Sequence, residues 1–246
     1  MIDLGKAVAL VTGASGGIGS ETARRLAAAG ARVAVHGYRN RAGAEKVAAD
    51  IVSAGGEATV VLGDVGDCAD AARIADETAA RLGTIDILVN VSGTSPQLPF
   101  GTVTPAAFDA LFRDNVLGAI LMMQECARHM SDAGGRIVNV ASNLCYGPMA
   151  GLVPYAAAKA SLITLTQGFA RELGSRRIAV NAVAPGVVET PMTEWIADDI
   201  RASIAGATPL GRIGRPDDVA DVIVFLASPA AKWVNGRTLI VDGGLI

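Results

Sequence analysis

Short apolar runs and longer amphipathic stretches alternate along this chain without a break. Residues 6–12, 32–37, 58–62, 85–91, 136–141, 178–183 and 237–241 are apolar runs, several of them rich in valine, that read as strands buried on both faces. Between them lie helical patterns: an alanine-rich stretch from Gly19 to Ala29, then 42–54, 67–82, 104–129, the run that carries Tyr155, and 216–227. Thr104 before Pro105 predicts a capped helix start with proline at the first helical position, and that helix is expected to run unbroken to His129. Strand and helix alternation of this kind predicts a parallel sheet covered on both faces. No repeat, low-complexity segment or linker divides the chain, so residues 1–246 are expected to form one domain. Periodicity weakens over 192–212, where Met192, Trp195 and Ile196 suggest an apolar lid over about 188–212.

Composition narrows the partners. Hydrophobic residues make up 51% of the chain, ample for a large core, while charged residues are 18% and the net charge is −3. Neither a basic excess nor a Lys/Arg block is present, which argues against nucleic acid and against an anionic membrane surface. Cys68, Cys126 and Cys145 are scattered without metal-ligand spacing, so no metal is expected and reduced thiols are the simplest account. The start of the chain runs almost directly into a strand, and no apolar run approaches membrane-spanning length. A soluble cytoplasmic protein is the expectation.

Two stretches carry candidate chemistry. The first strand runs into Gly13-Ala14-Ser15-Gly16-Gly17-Ile18-Gly19 and then a helix. A glycine turn there leaves backbone N–H groups uncovered at a helix amino terminus, where the partial positive charge favours a pyrophosphate. The spacing of Gly13, Gly17 and Gly19 departs from G-x-G-x-x-G, so a tight turn without a ligand is the competing reading. The second stretch, 142–159, holds Ser142, Tyr155 and Lys159. Tyr155 and Lys159 are four apart in an alanine-rich run, on one face of a helix. A free tyrosine titrates near 10, and a catalyst at neutrality needs a value some ~3 units lower, roughly 4 kcal/mol. Lys159 is the expected local source of part of that. Ser142 closes a buried strand at its carboxyl end, where open α/β sheets bind ligands. Such a trio can polarise a carbonyl with one hydroxyl and pass it a proton from the other. Tyr146 has Ala150, not a cation, four residues on, and reads as a wall of the site.

In chain order, the segment Thr12 to Gly19, Asp64, Asn90-Val91-Ser92-Gly93, Asn115, Ser142, Tyr155 with Lys159, Pro185-Gly186 with Thr190, and Val241-Asp242-Gly243-Gly244 resemble the motifs of the short-chain dehydrogenase/reductase family in its compact form. The resemblance covers essentially the whole chain. It implies a Rossmann-type doubly wound α/β domain with a seven-stranded parallel sheet in the order 3-2-1-4-5-6-7. It implies Tyr155 as general acid/base, Lys159 as the cation beside it and on the nicotinamide ribose, Ser142 on the carbonyl and Asn115 anchoring a water relay. The turn with Gly13, Ser15, Gly17, Ile18 and Gly19 would cradle the pyrophosphate. Asp64 and Val65 would meet the adenine, Asn90 and Gly93 the adenosine side, and Pro185, Gly186, Val188 and Thr190 the carboxamide side. Asn90-Val91-Ser92-Gly93 departs from the commoner Asn-Asn-Ala-Gly, in a segment that acts largely through backbone.

NADP is expected over NAD, with NAD still possible. Residues 36–40 are His36-Gly37-Tyr38-Arg39-Asn40, which offer no carboxylate against a 2′-phosphate and one arginine that can pair with it. Gly16 stands where many NADP-dependent relatives carry arginine, so half of that clamp is missing. The resemblance also implies a homotetramer, with the long helices from 104 and 152 making one contact and the last strand another. The substrate expected is a small ketone or secondary alcohol. The alternative is a 3-oxoacyl-acyl-carrier-protein reductase, for which Arg176 and Arg177 would dock the carrier while Asp132 opposes it. A non-catalytic NADP-binding regulator and a purely structural partner are the readings from other classes.

Overall fold

The apolar runs pair in parallel as seven strands in the order 3-2-1-4-5-6-7, in a computed structural model that describes residues 2–246. The strands are β1 (Val8–Val11), β2 (Arg32–Gly37), β3 (Glu57–Leu62), β4 (Ile85–Asn90), β5 (Gly135–Val140), β6 (Ile178–Pro185) and β7 (Thr238–Val241). β6 runs two residues past the expected end at 183, because Ala184 and Pro185 pair with Ile240 and Val241. The helices are α1 (Gly17–Ala28), α2 (Arg41–Ser53), α3 (Cys68–Leu82), α4 (Pro105–Phe112), α5 (Gly118–His129), α6 (Val153–Glu172), α7 (Asp198–Ala207) and α8 (Pro216–Ala227). On one face of the sheet, α1, α2 and α8 bury Leu26, Ile51 and Ile223. On the other, α3, α5 and α6 bury Ile74, Met122 and Ala170. Each large side chain so removed from water contributes roughly 1.5–3 kcal/mol. Both faces are therefore dry, which is why the strands read as continuous apolar runs.

The expected single helix over 104–129 is the main correction. Thr104 caps its start by accepting the Ala107 N–H at 3.2 Å. The α-helical ladder then gives way to a π-helical turn, Arg113–Leu117, before α5 resumes. The side-chain amide of Asn115 donates to the Leu111 carbonyl at 2.9 Å, which supports the widened turn at its own position. Such π turns are rare and recur at functional sites.

Because every strand points the same way, the segments after β1 to β6 all leave the sheet at one edge. Both candidate stretches lie there. No described helix is long and apolar enough to cross a membrane.

Candidate active site

The glycine turn after β1 has the form a diphosphate needs. Gly13 and Gly17 adopt φ of 63° and 55°, in the left-handed region that glycine enters without penalty. A Cβ on Gly19 would stand 2.3 Å from the Gly13 carbonyl oxygen, so only glycine lets the turn close. No side chain caps α1 and no acid occupies its first turn, so the donors at its amino end remain available to an anion. Ile18 lies in that first turn and Ser15 just before it, partly exposed. Thr190 closes over the turn, its Cγ2 3.3 Å from where a Gly17 Cβ would be. The cradle fits the pyrophosphate of a dinucleotide.

His36, expected among the cofactor contacts at the end of β2, turns its side chain inward. It is 1% exposed and lies beneath the turn, with Nδ1 accepting the Gly13 N–H at 3.1 Å and Nε2 bonded to the Gly63 carbonyl at 3.0 Å. Burial lowers its pKa and keeps it neutral. Arg39 is exposed, with its guanidinium 5.2 Å from the Tyr38 ring centroid and no ion pair among the described residues. Asn40 caps α2 through the Gly43 N–H and also reaches the Ser15 carbonyl at 3.3 Å.

Asp64 stands at the carboxyl end of β3, but its carboxylate is already engaged. One oxygen accepts the Gly66 N–H at 2.9 Å and the other pairs with Arg113 at 2.8 Å. Arg113 was not singled out from the sequence; its only signal was its place two residues before Asn115. Val65 is buried against Gly118, where a Cβ would approach its Cγ2 to 2.7 Å. Asn90 is likewise buried, and its amide donates to Asn139 Oδ1 at 2.9 Å, so its side chain braces β4 against β5. Thr12, seen in the sequence only as part of the glycine motif, accepts the N–H groups of Val91 and Ser92 at 3.0 and 3.1 Å. It fixes the exit of β4 beside the turn.

Four predicted residues converge past the ends of β4 and β5. A Cβ on Gly93 would meet Asn115 Oδ1 at 2.4 Å and Lys159 Nζ at 3.2 Å, which brings that amide oxygen and that ammonium together on the face of Gly93 where a side chain would project. Asn115 Oδ1 is buried and has no hydrogen-bond partner, while its Nδ2 donates to Thr94 and Leu111 carbonyls. An orphaned buried acceptor beside an ammonium is a place for a water or a ligand hydroxyl. Ser142 is buried at the end of β5 and takes the Leu144 N–H at 3.2 Å. Tyr155 and Lys159 both project from α6 into this edge and are almost fully buried.

The electrostatics differ from expectation. Burial pushes the Tyr155 phenol up to about 12, with the Ser142 hydroxyl opposing part of the rise. Lys159 donates to the Val140 carbonyl at 2.9 Å, and its Nζ lies 5.9 Å from the Tyr155 ring centroid. Burial pushes Lys159 itself down to about 8. The phenol is therefore raised by its burial, and the group that opposes the rise is the Ser142 hydroxyl.

The rest of the predicted set lies along β6 and β7. Gly186 donates to the Val241 carbonyl at 3.0 Å and packs so tightly on Asp242 that a Cβ would come within 2.8 Å of it. Pro185 ends β6, and Val188 is buried where it bridges to Gly214. Arg176 and Arg177 precede β6 and lie at the amino edge of the sheet, opposite Ser142. Arg176 donates to the Ala127 carbonyl at 2.6 Å and Arg177 to that of Asp132 at 3.4 Å. Within this chain the segments before β5 and β6 lie a strand's length from the catalytic edge.

Comparison with known proteins adds the family. The family described as enoyl-(acyl carrier protein) reductase matches residues 13–246. A cis-4-hydroxycyclohexanecarboxylate dehydrogenase from Sinomonas cyclohexanicum is 42% identical, over 96% of this chain and 95% of its own. A short-chain dehydrogenase from Burkholderia cenocepacia, solved in complex with NADP, is 37% identical and superposes with a TM-score of 0.93 over 98% of each chain. A gluconate 5-dehydrogenase from the same species, solved with NADP and tartrate, is 36% identical, with a TM-score of 0.93 over 99% of this chain and 96% of that one. Similarity of this extent, carried through the whole sheet and both candidate stretches, shows that the chain belongs to the short-chain dehydrogenase/reductase family, the NAD(P)-dependent oxidoreductases that act on an alcohol or its ketone.

Proposed function

We propose that this enzyme interconverts a small-molecule ketone and its secondary alcohol, with NADP preferred to NAD. The observation that carries the reading is the meeting of Ser142, Tyr155, Lys159 and the unpartnered Asn115 Oδ1 at one edge. When bound, the nicotinamide supplies or accepts the hydride. Tyr155 gives the carbonyl oxygen its proton, or removes one from the alcohol, and Ser142 holds that oxygen by a hydrogen bond. Lys159 has donors beyond the one given to Val140 with which to hold the ribose, and Asn115 Oδ1 orients a water that replenishes the proton. The turn from Gly13 to Gly19 takes the pyrophosphate, and Thr190 covers it. Preference for NADP is supported by exposed Arg39, by the lack of an acid over 36–40 and by two similar proteins solved with NADP. The first relative named above acts on a ring secondary alcohol, which suits the same chemistry.

The test is an NADPH-oxidation screen across ketone classes, with Tyr155→Phe beside the wild type. Turnover that falls by ~10²–10⁴ in the variant while NADP still binds is the expected result. Binding without turnover of any ketone would instead favour the regulator, and retained activity in the variant would unseat Tyr155.

A carrier-linked acyl substrate is the second reading, favoured by the description of the matched family. Against it, Arg176 and Arg177 cap carbonyls at the far edge of the sheet. The ketone reading has 188–212 as a lid over the substrate and a cytoplasmic enzyme, in keeping with three unpaired cysteines. It also expects a homotetramer, whose contacts would cover exposed Phe108 and Val153 near α4 and α6, and Trp233 and Ile240 near β7. A monomeric mass by light scattering at micromolar concentration would rule the tetramer out.

A further inference from the structure

We propose that the substrate of this site is an uncharged, mainly apolar ketone that carries no carboxylate or phosphate. The inference rests on the ketoreductase reading and specifies its substrate class. Three segments leave the sheet beside Tyr155: 91–104 after β4, 141–152 after β5 and 186–212 after β6. Leu98 donates to the Gly151 carbonyl at 2.8 Å, joining the first two, and Leu98 and Leu144 pack on the cluster that contains Tyr155. Residues 91–104 and 141–152 include no Asp, Glu, Lys, Arg or His. Residues 186–212 hold four acids, Glu189, Glu194, Asp198 and Asp199, and two arginines. Both arginines are engaged. Arg201 donates to the carbonyls of Ile196 and Thr193, and Arg212 forms a two-point pair with Asp218 at 2.6 and 2.8 Å.

An anion drawn out of water is compensated best by a cation, and neutral donors alone leave more of its desolvation unmet. None of the three segments has a free cation to offer, only neutral hydroxyls and amides, and the four acids of 186–212 are exposed. Lys159 is held by the Val140 carbonyl beneath the reaction centre. What the segments do present is apolar: Tyr146, Met149, Met192 and Trp195 are each about half exposed, at 50%, 45%, 44% and 50%. The body of a hydrophobic ketone would cover them. Discrimination thus comes from leaving a charged competitor without a cation as well as from apolar burial.

The test uses a matched pair on one ring, 4-oxocyclohexanecarboxylate and its methyl ester, with the wild-type enzyme and NADPH. The expected kcat/KM favours the ester by about tenfold or more, equivalent to at least ~1.4 kcal/mol. Equal or better use of the carboxylate overturns the proposal. Calorimetric binding of the pair to the protein with NADP reads the same preference without turnover. Ester-selective binding with no turnover would therefore sink the oxidoreductase reading and leave the charge argument standing, whereas carboxylate-selective binding would sink the charge argument.

Discussion

His36 Nδ1 accepts the Gly13 N–H at 3.1 Å while Nε2 reaches the Gly63 carbonyl at 3.0 Å. Only the neutral tautomer with its proton on Nε2 satisfies both bonds, because the charged ring would set one N–H against another. The same residue's carbonyl accepts the Ala14 N–H at 2.9 Å, so His36 holds two successive amides of the cofactor turn. Asp64 and Asp70 favour the charged ring, but burial and Arg73 oppose it, and the pKa is lowered. A histidine with a lowered folded pKa contributes stability that is complete above its ordinary value near 6.5 and is lost as pH falls below it. The wild type should lose up to ~1.4 kcal/mol per pH unit from this group below that point, together with affinity for NADP. His36→Asn keeps an acceptor near Gly13 without titrating, so its stability and affinity should change less between pH 6.5 and 5. Urea denaturation and NADP calorimetry at both pH values check this, and parallel profiles for the two proteins would refute it.

Gly93 should not tolerate a methyl group. Its Cβ would stand 2.4 Å from Asn115 Oδ1 and 3.2 Å from Lys159 Nζ, and Asn115 is fixed by two bonds from its own amide. Gly93→Ala is expected to displace one partner by several tenths of an ångström. Loss of kcat by ~10–100-fold with the thermal midpoint nearly kept is the predicted outcome. Unchanged steady-state rates would mean that the Asn115–Lys159 neighbourhood is not part of the reaction path.

Arg39 is the one cation on the segment that follows β2 before α2 begins, and it is exposed and unpaired among the described residues. Arg39→Ala should raise KM for NADPH about tenfold, as expected for a charge-assisted phosphate contact, with little change for NADH. An equal change for both cofactors would remove the case for NADP.

Much of this was legible in the chain. Alternation predicts a parallel sheet and the resemblance implies its strand order, and Thr104 caps its helix as its place before Pro105 predicts. Composition and spacing could not show the π turn, since Asn115 supports it through tertiary contact with Thr94 and a local bond to Leu111. His36 is expected among the cofactor contacts for its place at the end of β2 and Asn90 by resemblance, and neither the strand end nor the motif shows that each side chain bonds to a distant segment, at Gly13 and Asn139. The burial that raises the Tyr155 pKa comes from Leu98, Leu111 and Leu144 packed around it, which no local spacing reveals. Arg176 was placed by family position alone, and the direction of β6 puts it at the opposite edge.

Lys159 should weaken the fold it serves. Burial pushes it from 10.5 down to about 8, so at pH 7 the native state holds a charge that the unfolded chain hydrates more cheaply. A gap of that size is worth about 3 kcal/mol, less ~1 kcal/mol for the bond to the Val140 carbonyl. Lys159→Met keeps the length of the stem and removes the charge. It should abolish turnover and yet raise the thermal midpoint at pH 7 by roughly 4–8 °C for a chain of this size. Because the folded pKa is lowered, wild-type stability rises as pH climbs from about 8 to 10.5, where the unfolded chain also loses its proton. The advantage of the variant should therefore shrink over that window and disappear above it. Calorimetric scans of both proteins at pH 7 and pH 10.5 test the sign, and a variant less stable than wild type at pH 7 would show that the buried ammonium is better compensated than its single bond to Val140 implies.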